Sequence, residues 1–158
     1  MRDAREDFVA ILKESGFPEE GPTPVKACVH CFTGDTEELK EYVKMGFYIG
    51  LTGFIINNNM SEVAEEGGKG EKEGESLLSE WLQIIPDDKL VIETDAPYMG
   101  FKGCRKTESK KKNQKYPNIP SALNTVCQTI ADASGREYDT VASVTTTNAL
   151  DFFACSKD

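Results

Sequence analysis

Histidine is almost absent from this chain: His30 is the only one in 158 residues. A zinc site of two cysteines and two histidines, or any centre built on several imidazoles, is therefore excluded from this chain alone. Long apolar runs are absent as well, and none approaches the ~20 residues needed to cross a bilayer, so no membrane partner is expected. The opening Met1-Arg2-Asp3-Ala4-Arg5-Glu6-Asp7 is too acidic for a secretion signal and lacks its apolar centre. Positive charge is scarce. With 18 Lys and Arg against 27 Asp and Glu, the net charge of -9 argues against non-specific attraction to polyanions. Cysteine is present in an odd count, five, without a secretory context. The five read as reduced thiols of an intracellular protein, cytoplasmic with the nucleus as a further location. The remainder is ordinary. Hydrophobic residues make up 39% and charged ones 28%, in a length suited to a single domain over residues 1–158 with a real core.

The order of elements is legible from periodicity and punctuation. Ala4, Phe8, Val9, Ile11 and Leu12 recur at helical spacing until Gly16-Phe17-Pro18. Val25 to His30 reads as a strand. Asp35, with Glu38 three residues later, has the form of a capping box before a helix carrying Leu39, Tyr42 and Val43. After Gly46, Phe47 to Leu51 reads as the next strand, followed by an irregular stretch rich in Asn, Gly and Glu to about residue 74. Within it, Gly67 to Gly74 is low in complexity and reads as mobile. Leu77, Leu78, Trp81, Leu82 and Ile85 mark an amphipathic helix stopped at Pro86, and a third strand ends at Glu93. Pro120 suits the first turn of a helix bearing Leu123, Val126 and Ile130, which Gly135 caps before a last helical stretch. Strands alternating with helices predict an α/β fold with parallel strands.

In such a fold, the residues at the carboxyl ends of strands line the functional face. His30 ends one apolar run, and Glu93-Thr94-Asp95 ends another before Ala96-Pro97. Imidazole nitrogen and carboxylate oxygen are ligands for zinc, manganese or magnesium. An ion held there acidifies a water, which a nearby carboxylate can align and deprotonate. Asp95 is the candidate for both duties, ligand and catalytic carboxylate, and His30 is the second candidate ligand. The bland readings are a packed or solvent-bonded His30 and an Asp95 that merely bonds local backbone amides in a turn.

Cys28 and Cys31 form a Cys-x-x-Cys pair, but no second pair completes a zinc site. Alternation along a strand puts Cys28 and His30 on one face and Cys31 on the other. Cys127 falls in the apolar register of its helix, whereas Cys104 and Cys155 show no partner pattern. Charge is unevenly spread. Between Phe101 and Tyr116, seven positive residues face only Glu108, whereas from Glu62 to Glu80 seven acids face Lys69 and Lys72. The basic loop is either a solvated surface or a phosphate-contacting arm, with Lys102, Arg105, Lys110, Lys111 and Lys112 as candidate substrate contacts. Phe101 and Tyr116 flank it and could stack on bases.

At these residues the chain resembles the TatD family of metal-dependent deoxyribonucleases, within the amidohydrolase-like barrel group. His30-Cys31-Phe32-Thr33-Gly34 is similar to that family's His-Cys-Phe-[Ser/Thr]-Gly. Phe47 to Gly53 and Glu93 to Tyr98 resemble its later strands, and Thr145 to Phe153 its closing helix. The resemblance implies that His30 and Asp95 ligate divalent metal (Mg, Mn or Zn) and that the intact enzyme hydrolyses phosphodiester bonds of DNA. The family's opening His-x-His, its liganding Glu and its other His have no counterpart here. Arg2-Asp3-Ala4-Arg5 resembles the residues just after that other His. The chain is therefore expected to be a partial TIM (β/α)8 barrel, the C-terminal three strands with their helices. Against the ~250 residues typical of that fold, about two fifths is absent, so the metal site is incomplete and the chain inactive alone. A shortened gene product is the simplest origin. The alternatives are a metal-dependent amide or ester hydrolase acting on a small molecule or aminoacyl-tRNA, and a non-catalytic fragment that associates with a full-length homologue.

Overall fold

The structure, a computed structural model, describes residues 5–21, 25–57, 76–101, 103–105 and 117–154. Lys102, Lys110, Lys111, Lys112, Cys155 and the Gly67–Gly74 segment lie outside the described residues. Helix α1 spans Arg5–Glu14, β1 Cys28–Val29, α2 Thr36–Lys44, β2 Tyr48–Leu51 and α3 Phe54–Asn57. Then come α4 Leu77–Ile84, a 3-10 turn Asp87–Lys89, β3 Leu90–Ile92, a 3-10 turn Pro120–Ala122, α5 Leu123–Ser134 and α6 Tyr138–Phe152. The one-turn α3 was not expected; it falls where the irregular stretch begins.

Each boundary has a local cause. The Asp35 side chain accepts from Glu38 N–H at 2.8 Å and caps α2, whose Leu39 and Tyr42 are buried one turn apart. The Oε1 of Glu38 also accepts from the Tyr42 hydroxyl at 2.7 Å, tying the first turn of α2 to the next. Gly46 then turns the chain at φ +80°, where a Cβ would lie 2.7 Å from the Gly21 carbonyl oxygen. Gly135 ends α5 in the left-handed conformation at φ +65°.

The strands form one parallel sheet in the order β1-β2-β3. Cys28 pairs with Tyr48 and Val29 with Ile49; across the other seam, Ile49, Gly50 and Leu51 pair with Leu90, Val91 and Ile92. All four residues of β2 are buried, as expected of a parallel strand covered on both faces. Ile49 and Leu51 join Leu39, Tyr42, Leu78 and Trp81 in the core. Phe32 sits edge-on to Trp81 at 4.7 Å between centroids. Cys127 is in this core, as its helical register predicts. Asn148 is also buried, and its Nδ2 donates to the carbonyls of Asp87 (2.6 Å) and Leu90 (2.7 Å), fixing the start of β3.

The first strand is shorter than the sequence suggests. Val25 is 60% exposed, and His30 and Cys31 arch out of the ladder before Phe32 N–H returns to the Gly50 carbonyl at 2.9 Å. At its carboxyl end the ladder stops before Cys31, whose φ of +48° leaves the extended region.

Candidate functional site

The carboxyl ends of β1 and β3 flank that of β2 on one rim of the parallel sheet. His30 comes directly after β1, and Asp95 three residues after β3. The structure brings them together, with His30 Nε2 3.4 Å from Asp95 Oδ1. That is long for a firm hydrogen bond. It equals the spacing of roughly 3.4 Å between nitrogen and oxygen donors at ~2.1 Å on a shared tetrahedral zinc. The imidazole is 64% exposed and the Asp95 side chain 29%, so a ligand can reach both. On this spacing the pair fits a divalent ion as two of its ligands. Among the described residues, no group of three or more His, Cys, Asp and Glu is arranged to hold a metal.

Asp95 reaches this position through a turn. Its φ is +57° and that of Met99 is +54°, and Tyr98 N–H closes back on the Asp95 carbonyl at 2.8 Å. Asn118 braces the turn from behind. Its Nδ2 donates to the Thr94 carbonyl at 2.6 Å, and its N–H to the Pro97 carbonyl at 2.9 Å. Buried amides that satisfy loop carbonyls carry no motif, and sequence reasoning missed Asn118.

It also missed Glu93. This side chain reaches from β3 across Gly50 to the end of β1, where Oε1 accepts from Cys31 N–H at 2.6 Å and Oε2 pairs with His30 Nδ1. A Cβ at Gly50 would collide with Glu93 Oε1. The available signal was a glycine in the middle strand together with a glutamate two residues before the candidate ligand.

Cys31 departs from the alternating pattern. Its left-handed backbone turns the thiol to the rim, where Sγ lies 3.4 Å from Thr52 Oγ1. Burial raises its pKa, the Thr52 hydrogen bond opposes this, and the charges of Asp95 and Glu93 raise it further. Cys28 is pushed up to about 11 by burial and by Glu93. Neither thiol is primed as a free nucleophile.

Of the candidate substrate contacts, only Arg105 is described, and its Nε donates to the Pro117 carbonyl at 2.9 Å. A groove of about 360 Å³ lies between β3, α5 and α6, lined by Ile92, Leu123, Cys127, Tyr138, Ala149 and Phe153 among others. It has no carboxylate or imidazole in its lining, so the chemistry is placed at the rim. No helix among the described residues is long and apolar enough to cross a membrane.

Known proteins match nearly the whole chain. The family of TatD related DNases matches residues 1–154. The chain is 34% identical over 155 residues to the uncharacterized metal-dependent hydrolase YabD of Bacillus subtilis (strain 168), covering 96% of this chain and 48% of that protein. It is 34% identical over 152 residues to the 3'-5' ssDNA/RNA exonuclease TatD of Escherichia coli (strain K12), covering 96% and 49%. A TatD family hydrolase from Entamoeba histolytica shares the fold with a TM-score of 0.67 at 24% identity, over 96% of this chain and 48% of the other. The TatD homolog YJJV from Escherichia coli k12 does so at 0.68 and 21%, over 97% and 48%. The chain spans about half the length of the relatives it matches.

Proposed function

The chain belongs to the family of TatD related DNases, and from that premise we propose that it carries two ligands of a divalent-metal phosphodiesterase site, His30 through Nε2 and Asp95 through its carboxylate. The observation that carries this reading is their 3.4 Å approach at the carboxyl rim of a parallel sheet. A bound ion supplies Lewis acidity toward a phosphoryl oxygen and toward water. With an ion bound, Asp95, whose carboxylate lies at the rim, would align a water and accept its proton. His30 orients through its other ring nitrogen. The substrate is nucleic acid, in keeping with the ssDNA/RNA exonuclease among the relatives. The basic residues Lys102, Arg105, Lys110, Lys111 and Lys112 contact phosphates.

Residues 1–158 contribute one domain, whose described part supplies three parallel strands toward the eight of the barrel. The edge of β3 beside the apolar groove is where a further β/α unit would pack. Two protein ligands hold an ion less tightly than the three of a catalytic zinc site. This chain alone therefore binds metal weakly and hydrolyses DNA negligibly, and a partner supplying the remaining strands raises both. The test is calorimetric titration with zinc and manganese, alongside an assay on single-stranded DNA. Weak binding lost in H30A and D95N, with negligible turnover, is expected. Robust turnover by the isolated chain overturns the incomplete site, and metal binding that survives both substitutions overturns the ligand assignment.

A further inference from the structure

We infer that Glu93 is a positioning residue that holds His30 in the Nδ1–H tautomer and aims its Nε2 lone pair at the rim, a reading that rests on the proposed His30–Asp95 metal pair. Three observations converge on it. Glu93 is still held in the sheet, its N–H donating to the Leu51 carbonyl at 3.0 Å, so its backbone is fixed. Its side chain is the less exposed partner, 26% against 64% for the imidazole. Both carboxylate oxygens are committed, Oε1 to Cys31 N–H at 2.6 Å and Oε2 to His30 Nδ1. A carboxylate only accepts, so the ring nitrogen it meets must carry the proton. Nε2 faces Asp95 Oδ1 at 3.4 Å, too long for a firm hydrogen bond, so no acceptor holds a proton there and its lone pair is left for a metal.

The opposite tautomer, Nε2–H, is the one a free imidazole in water favours, and it cannot ligate a metal through Nε2. Glu93 reverses that preference. Gly50 makes the arrangement possible, because a Cβ at that position would occupy the path of the carboxylate. Glu93 does not serve as a ligand itself, since it engages the ring from the nitrogen opposite the one that faces Asp95.

His30 is the only histidine in the chain, so its ring nitrogens give one unambiguous pair of resonances. The experiment is ¹⁵N NMR of the metal-free full chain at pH 8.5, for wild type, E93Q and E93A, with amide spectra confirming the fold. Wild type is expected to show a protonated Nδ1 and an unprotonated Nε2, and both variants to move toward Nε2–H. Zinc titration of the same samples is expected to show affinity reduced ten- to a hundredfold in E93Q. A wild-type spectrum showing Nε2–H, or protons on both nitrogens, overturns the inference even if neither variant folds. So does an E93Q tautomer identical to wild type. A wild-type Nδ1–H signature that disappears in E93Q, with no zinc uptake by either protein, supports the positioning role and instead sinks the metal reading.

Discussion

The two ends of the three-stranded sheet are built for different purposes. Where the strands start, polar groups are consumed by one another. Asn148 donates to two carbonyls at the start of β3. The Tyr48 hydroxyl donates to Asp151 Oδ2 at 2.6 Å, and Lys26 pairs with Oδ1 of the same carboxylate at 2.8 Å. Lys89 lies over the Tyr48 ring at 4.4 Å. Where the strands finish, Cys31 and Asp95 adopt left-handed backbone, and a half-exposed imidazole and carboxylate face solvent. One end commits its polar groups to cohesion. The other keeps them available and accepts local strain, the usual division between stability and chemistry at the two faces of α/β barrels.

The sharpest way to test that division is at Asn148. Asn148→Leu removes two buried hydrogen bonds and strands two carbonyls, so a loss of about 2–4 kcal/mol in urea denaturation is expected. A loss below about 1 kcal/mol would erase the contrast. A smaller effect is expected at the other end. Asp95→Gly should change stability by under about 0.5 kcal/mol, because relief of the left-handed residue offsets the added freedom of the unfolded chain, while zinc binding disappears. A large destabilisation there would mean that the rim also holds the fold together.

The smallest effect concerns acid. Hydrogen bonds from Lys26 and Tyr48 hold the Asp151 carboxyl below its ordinary value. A carboxylate depressed in the folded state contributes stability above its unfolded pKa and loses it as pH falls through the folded one. Asp151→Asn should therefore be slightly less stable than wild type at neutral pH. The two denaturation midpoints should converge below the carboxylate range; parallel curves would remove Asp151 from the account.

How far each residue could be read in advance depended on how it signals its role. The cap at Asp35, the stop at Gly135 and the position of β2 are local features, and these were legible. His30 and Glu93-Thr94-Asp95 were legible as strand-end groups, and their convergence results once the strands are parallel neighbours of β2. The role of Glu93 was not, because a carboxylate that serves another side chain has the same letter as one that serves solvent. Asn118 and Asn148 were hidden for a related reason: their partners are backbone carbonyls 19 to 61 residues away. The arch after the first strand depends on the φ of Cys31, and cysteine gives no local hint of a left-handed backbone.

The reach of Glu93 from the third strand over Gly50 to Cys31 beyond the first makes it a proofreader of strand alignment. A slip of one residue along either seam would displace its carboxylate by about 3.3 Å, further than the Cys31 and His30 contacts could follow. A mis-zipped sheet, even one that buried its apolar residues, would leave the imidazole unclamped. Competence at the rim thus reports that all three strands have found their places.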